Sequence, residues 1–506
     1  MLDAFIGGLL LVFQWESFLY LLIGATIGFG VGILPGLGGG ETLALMMPFI
    51  YKMTPEQGLP FLLGMHSVVA TTGDITSILF GIPGESTTVA TIVDGYPMAK
   101  KGEAGRALGA SLMSSLIGAL IGAGFLAVSI PIVRPLVLAF GSPEMFMVII
   151  LGLTCISTLS GHGKRGLLRG LLAGGFGFLC SMVGQDRQAG ILRFSFDSLY
   201  LMNGLPMVPV MLGLFALPEI IDLSVQETSI ARSLPQGKVS KGVREGVKDT
   251  FRHFWLTVRC SIIGSFIGIM PGLGGSVAQW VSYAHAKQSA KTLEEREGFG
   301  KGDIRGVLGP GAANNSKEGA NLIPTVAFGI PGSVGMAILL GAFFLLGLVP
   351  GPDMLTKHLT LTFSMVWTIV VANIIVVAVS LLFINRIANL TMIRGNLLIP
   401  FILLLCLIGS YTASKHMGDL IVMLVSGGVG YLMVRFNWPR PPFILGFILG
   451  PLAETYLYAA MARYKAAWLF RPKVIVILIL AIAAAVYPFV QEKRLARKEA
   501  RNEAMG

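Results

Sequence analysis

The sequence predicts an all-α polytopic membrane protein. It is expected to hold two inverted repeats with re-entrant hairpins and broken helices, plus one extra C-terminal span. Three observations lead there. Of 506 residues, 54% are hydrophobic and only 13% charged, with mean hydropathy +0.75; an average globular protein carries about 25% charged residues. Apolar runs long enough to cross a bilayer recur, as at 359–383 and 474–490. Two Gly/Pro phrases also occur twice. Gly32-Ile-Leu-Pro-Gly-Leu-Gly-Gly39 returns as Gly268-Ile-Met-Pro-Gly-Leu-Gly-Gly275, and Phe80-Gly-Ile-Pro-Gly84 returns as Phe328-Gly-Ile-Pro-Gly332. Paired interruptions in the two halves of a membrane protein point to a transport site at the repeat interface.

Other classes are excluded. A β-barrel needs short alternating strands with polar lumen positions, and these are absent. The net charge of +11 fits the excess of Lys and Arg in cytoplasmic loops; without aromatic-interleaved basic patches it does not imply nucleic acid. Cys155, Cys180, Cys260 and Cys406 sit singly in apolar segments and read as small core residues. His66 and His162 have no ligand-spaced partners and are not expected to bind metal. The N-terminus has no basic n-region, so a cleaved signal peptide is not expected.

In order, 4–13 is too short to span and is assigned to the interface. Residues 15–34 span and reach the first Pro-Gly phrase; 42–50 continue as a short helix. Thr54-Pro55-Glu56 then starts a helix with a Thr cap and Pro at its first position. The first hairpin, about 54–98, is too polar in its middle to face lipid, and interrupted backbone is tolerated only inside protein or along a wet cavity. It is expected to leave on the side it entered. Lys100, Lys101 and Arg106 mark a cytoplasmic loop; spans follow at 107–130, 145–159, 167–183 and 206–223. These complete an N-terminal repeat, 1–223. The basic segment 224–253 is a cytoplasmic linker.

The C-terminal repeat, 254–460, follows the same order. It has a span at 254–270, a short helix at 278–286, a charged loop, a hairpin at about 306–349, and spans at 359–383, 397–411, 420–434 and 443–458. Gly174-Gly-Phe-Gly-Phe-Leu179 is echoed by Gly427-Gly-Val-Gly-Tyr-Leu432, and Pro209-Val-Met-Leu-Gly213 by Pro442-Phe-Ile-Leu-Gly446. Counting crossings from the linker places Arg386, Arg394, Arg435 and Arg440 inside, which favours inversion. Arg463, Lys465, Arg471 and Lys473 dissent. The remainder, 461–506, is the extra span and a basic cytoplasmic tail.

A helix that stops at Gly-Pro leaves amides or carbonyls without partners. N-terminal ends then attract anions and C-terminal ends cations. The candidate site gathers these breaks and the polar groups beside them. From the first half come Pro35, Gly36, Gly38, Gly39, Gly40, Glu41 and Thr42, then Gly73, Asp74, Thr76 and Ser77. Its hairpin phrase adds Gly81, Pro83, Gly84, Glu85, Ser86, Thr87 and Thr88. The second half supplies Pro271, Gly272, Gly274, Gly275 and Ser276, then Asn314, Asn315, Ser316, Lys317, Asn321 and Thr325. Gly329, Pro331, Gly332 and Ser333 complete it. Hard oxygen ligands suit Na⁺, while an intramembrane carboxylate can carry a proton instead. Lys317 is placed to meet a substrate carboxylate or to pair with Glu318. Gly38-Gly-Gly-Glu41 is no dinucleotide fingerprint, and no phosphate loop or convergent nucleophile and base suggests an enzyme.

These phrases, with Ala312-Ala-Asn-Asn315 and Leu322-Ile-Pro-Thr-Val-Ala-Phe328, resemble the large membrane subunit (TctA-type) of the tripartite tricarboxylate transporters over about 15–490. The resemblance implies a multi-pass permease of the bacterial inner membrane that works with a small membrane subunit (TctB-type) and a periplasmic solute-binding protein (TctC-type). It implies uptake of tricarboxylates or related small carboxylates, coupled to a Na⁺ or H⁺ gradient and without other cofactor. It also implies likeness to the wider ion-transporter superfamily, whose hairpins ride an elevator-type transport domain. The family often has an acidic residue just before Ala-Ala-Asn-Asn, where this chain has Gly309-Pro310-Gly311. A stand-alone ion-coupled carboxylate symporter is the alternative. Whether the chain forms a homo-oligomer stays open.

Overall fold

The computed structural model describes residues 1–33, 38–85, 87–158, 163–186, 190–225, 242–270, 274–390 and 399–486. The chain is helical almost throughout. Among the described residues its strands are the two-residue pair Gly184–Gln185 and Leu192–Arg193. The first half runs α1 (Leu2–Val12), α2 (Trp15–Gly32), α3 (Gly39–Met46), α4 (Pro55–Phe80), α5 (Val89–Lys100), α6 (Ala104–Leu138), α7 (Ser142–Thr158) and α8 (Gly163–Ser181). After α9 (Leu199–Met202), α10 (Met207–Met211) passes through a π-helical turn, Leu212–Ala216, into α11 (Leu217–Val225). The second half begins with α12 (Val243–Arg252), α13 (Phe254–Ile269), α14 (Gly274–Gln288), α15 (Leu293–Gly298), α16 (Arg305–Phe328) and α17 (Val334–Leu345). It ends with α18 (Leu359–Leu390), α19 (Ile399–Ser414), α20 (Met417–Arg435), α21 (Arg440–Tyr464) and α22 (Pro472–Val486).

Five helical segments are long and apolar enough to cross a membrane: Trp15–Gly32, Ala104–Leu138, Leu359–Ile387, Met417–Arg435 and Arg440–Phe470. Helices α4 and α16 are as long but carry Thr, Ser, Gly and Asn, and protein covers them along nearly their whole length. Local sequence fixes their ends. Thr54 and Gln57 form a capping box with Pro55 in the first turn of α4. Gly81 ends α4 and Gly329 ends α16, each at φ 69°, a left-handed conformation that favours glycine.

The helices group into two bundles. The first holds α2, α4, α6, α13, α16 and α18; the second holds α7, α8, α10, α11, α19, α20 and α21. Within each, the halves exchange partners: α6 lies along α16 and α18 along α4, while α8 lies along α21 and α20 along α10 and α11. Glycines bring these backbones together. A β-carbon at Gly118 or Gly122 would strike the Ala312 or Ser316 carbonyl, and one at Gly177 or Gly446 the Phe443 or Gly174 carbonyl. Gly213 meets Met423, and Gly430 meets Leu214. The two sequence echoes thus pack crosswise, each Gly-rich phrase of one half on the Pro-containing phrase of the other.

The chain takes a different course at each of the two breaks in a half. Helix α2 runs alongside α4 in the same direction, with Gly24 on Phe61, Gly28 on Met65 and Gly32 on Val69. Helix α3 then returns from His66 toward Thr54, so 15–52 begins and ends beside the first turns of α4. The segment 54–98 runs on to the far end of α4. After α4 the chain doubles back until Gly84 touches Gly73 and Ser77 donates to Thr88 (2.7 Å). Helix α5 then proceeds in the direction of α4, Gly95 on Ile78 and Tyr96 on Gly81, and ends beside Lys301. In the second half α14 runs back along α13, and α16 lies antiparallel to α4. The physical reason is where the break falls. It comes after 26 helical residues in α4, about 39 Å, whereas α2 is interrupted part-way along α4.

Other contacts tie the halves and ends. Asp94 accepts from the amides of Gly300 (2.8 Å), Gly302 (2.8 Å) and Asp303 (2.9 Å) and from the Tyr283 hydroxyl (3.0 Å). Helix α12, at the end of the basic linker, docks on α6 through Arg106–Asp249 (2.6 Å). Helix α1 packs on α18, where Trp367 donates to the Phe5 carbonyl (3.0 Å). Two of the four dissenting cations sit at the α6–α7 connection: Arg471 pairs with Glu144 (2.7 Å) and Lys473 donates to the Ala139 carbonyl (2.6 Å).

A candidate binding site where four helix breaks meet

Gly38 and Gly39, at the start of α3, sit against Glu85, and Gly39 also sits against His66. Gly40 faces Val334 and Gly335 at the start of α17. Gly275, at the start of α14, packs on Lys317 and Thr87, while Gly332 packs on Asn321 and the Gly268 carbonyl of α13. Each of the two returning segments therefore touches both Phe-Gly-Ile-Pro-Gly turns. The helices beginning at these breaks (α3, α5, α14 and α17) turn their N-termini, with positive partial charge and unpaired amides, toward one centre.

The charged core of that centre comes from the middles of α4 and α16. Lys317 Nζ lies 2.9 Å from Glu318 Oε1, and His66 Nε2 lies 3.1 Å from Glu318 Oε2. All three side chains are buried. Glu85 stands beside them in the first turn and accepts from the Thr87 hydroxyl (3.2 Å). Hydroxyls brace both turns. Thr88 donates to the Glu85 carbonyl (2.9 Å), Thr76 and Ser77 to the Gly73 carbonyl (3.1 and 3.0 Å), and Thr325 to the Asn321 carbonyl (2.7 Å). Ser333 caps α17 by accepting from the Met336 amide (3.3 Å). The Asn321 Nδ2 amine is buried without a hydrogen-bond partner among the described residues.

Several residues singled out in the sequence serve elsewhere. Asn314 donates to the Ala70 carbonyl (3.0 Å), and Asn315 bridges Thr71 (2.5 Å) and Asn373 (3.0 Å), pinning α16 to α4 and α18 where they cross. Ser316 packs its backbone on Gly122 and its hydroxyl on Gly264. Asp74 accepts from Ser111 of α6 (2.7 Å). Glu41 faces the other bundle, 4.0 Å from Arg440, which also lies 3.8 Å from Glu219. Thr42 bonds back to the Gly38 carbonyl (2.8 Å). Gly81 and Gly329 act as helix caps, with Pro83 and Pro331 in the turns after them. Pro35, Gly36, Ser86, Pro271 and Gly272 lie outside the described residues, as do the placements of the Gly274 and Ser276 side positions.

Sequence reasoning missed His66 and gave Glu318 only as a partner for Lys317. An imidazole in apolar sequence has no neighbour that announces a partner on another helix; Glu318, adjacent to the sole Lys of α16, carried the available signal. A separate cavity of about 340 Å³ lies between the strand pair, α10 and α21, where Arg193 pairs with Asp186 and Glu454. None of the sequence-selected residues lines it.

Five helical segments long and apolar enough to cross a membrane, around a buried polar interior, define an integral membrane protein. Residues 18–445 match the tripartite tricarboxylate transporter TctA family, and the chain belongs to that family. It is 33% identical over 488 residues to an uncharacterized 52.8 kDa protein in the TAR-I ttuC' 3'region of Agrobacterium vitis, covering 94% of this chain and 95% of that one. It is also 36% identical over 198 residues to an uncharacterized protein in the TAR-II ttuC' 3'region of the same organism, covering 39% of this chain and 81% of that one. No solved structure matches significantly. The family is a transporter component rather than an enzyme family.

Proposed function

We propose that the chain is the inner-membrane permease subunit of a binding-protein-dependent secondary transporter for small carboxylates, tricarboxylates among them. The observation that carries this is the gathering of Gly39, Gly275 and Gly335, at or beside the starts of three helices, against His66 and Lys317, the two partners of Glu318. Helix N-termini and a buried ammonium are what a carboxylate needs on leaving water. In this reading the halves are inverted repeats, supported by the antiparallel course of α4 and α16. A small membrane subunit and a periplasmic solute-binding protein complete the system, as the family name implies.

The first bundle is the moving part and the second the scaffold, in elevator fashion. Support comes from the boundary of the second bundle, where Gly341 of α17 packs on the flexible Met207 and on Ile448, and Pro48, just after α3, packs on Gly409 of α19. Loose Arg440 contacts to Glu41 and Glu219 span it. Asp74 and Glu85 remain candidates for the coupling ion: Asp74→Asn and Glu85→Gln that both leave ion dependence unchanged would remove them.

The deciding experiment uses vesicles holding this chain and its two partner subunits. Citrate accumulates only when an ion gradient and the binding protein are both present. Accumulation by this chain alone would instead indicate a stand-alone symporter, and accumulation without any gradient would exclude coupling.

A further inference from the structure

Glu318 has a lysine and a histidine on its two oxygens, Lys317 at 2.9 Å and His66 at 3.1 Å. The three side chains are only 3%, 3% and 5% exposed, for Lys317, Glu318 and His66, so water does not moderate the competition. His66 Nδ1 and Nε2 and Glu318 Oε2 make no formed hydrogen bond among the described residues, so the His66–Glu318 contact is an approach at ion-pair distance. The ring is clamped between Gly39 and Gly335, which begin or nearly begin α3 and α17. Two helix N-termini therefore oppose a positive charge on the imidazole, while Glu318 favours one. Glu85 faces the ring across Gly39, Asp74 lies two turns along α4, and Glu41 turns away toward Arg440. Helix α17 carries no charged residue, and Glu16 of α2 and Arg259 of α13 stand more than two turns from their breaks.

We infer that His66 is the proton-coupling group of this permease, acting through Glu318 to hold or release Lys317. With the imidazole protonated, Glu318 is held by His66 and Lys317 is free to receive a substrate carboxylate. With the imidazole neutral, Glu318 closes on Lys317 and excludes the anion. The proton arrives on His66 from the same aqueous side as the substrate and leaves to the side where the substrate is delivered; the N–H bond is the one bond made and broken. Substrate and proton thus enter as a compensated pair, and each raises the affinity for the other by the same factor. The inference rests on the reading of Lys317 as carboxylate anchor.

The test uses vesicles with all three subunits, radiolabelled citrate and sodium-free buffer. An acid-outside gradient is expected to drive accumulation, one pH unit sustaining about tenfold per coupled proton. His66→Gln is expected to lose this accumulation, and its residual citrate exchange at equal pH to become indifferent to pH between about 6 and 8. Glu318→Gln, close in size, is expected to lose the gradient response as well. Accumulation by the unaltered protein that follows sodium and ignores pH would overturn the inference, as would a His66→Gln protein still driven by a pH gradient. Lys317→Ala with an unchanged half-saturating citrate concentration would overturn the anchor itself, an outcome separable from the His66 result.

Discussion

Asp94 and Glu318 are both buried carboxylates contacted by the opposite half of the chain or its site, yet their surroundings differ. Asp94 accepts from three backbone amides and a tyrosine hydroxyl, donors that cannot leave without unfolding the loop 299–303. Glu318 is met by two side chains, one of which titrates near neutrality in water. A carboxylate saturated by backbone is a rivet. One shared between a lysine and a histidine can change partners, which a transport site requires and a structural site does not.

Four substitutions test that contrast, from the strongest effect down. Glu318→Gln is expected to cut citrate uptake by about a hundredfold, on the order of 3 kcal/mol, as one member of a buried charged group is neutralised. Full uptake per folded molecule in reconstituted vesicles would erase the distinction. Asp94→Ala is expected to lower unfolding stability by about 2 kcal/mol through stranded amides. Uptake per folded molecule should then hold; a loss of uptake beyond the loss of folded protein would make Asp94 functional too. Tyr283→Phe removes one of the four donors and should cost about 1 kcal/mol in the same thermal measurement. Lys101→Ala removes an exposed hydrogen bond to the Lys301 carbonyl and should stay within about 0.5 kcal/mol.

Much of this was legible in the chain because it is written locally. Glycine at φ 69° after α4 and α16, the Thr54 capping box and the small residues of the crossing helices each act within a turn or at one contact. Order and pairing of elements followed from duplication. The path after each break was not legible. Whether the chain turns back after α2 or continues depends on what Gly24 and Gly28 pack against, and Phe61 and Met65 are distant in sequence. The site divides the same way. Lys317 and Glu85 stood out as charges in apolar sequence, whereas the pairing of His66 with Glu318 spans two halves and leaves no periodic trace. Asn314 and Asn315 looked like ligands because amides serve both uses; here their amino groups bind the neighbouring helices.

The exchange of helices between halves has a consequence for how the protein can be assembled. Neither half made by itself would cover its own long polar helix, since α6 shields α16 and α18 shields α4. A chain divided between 225 and 242 loses a covalent connection and none of those surfaces. Two separately synthesised polypeptides are thus expected to find each other in the bilayer and restore one working permease, while either expressed singly is degraded.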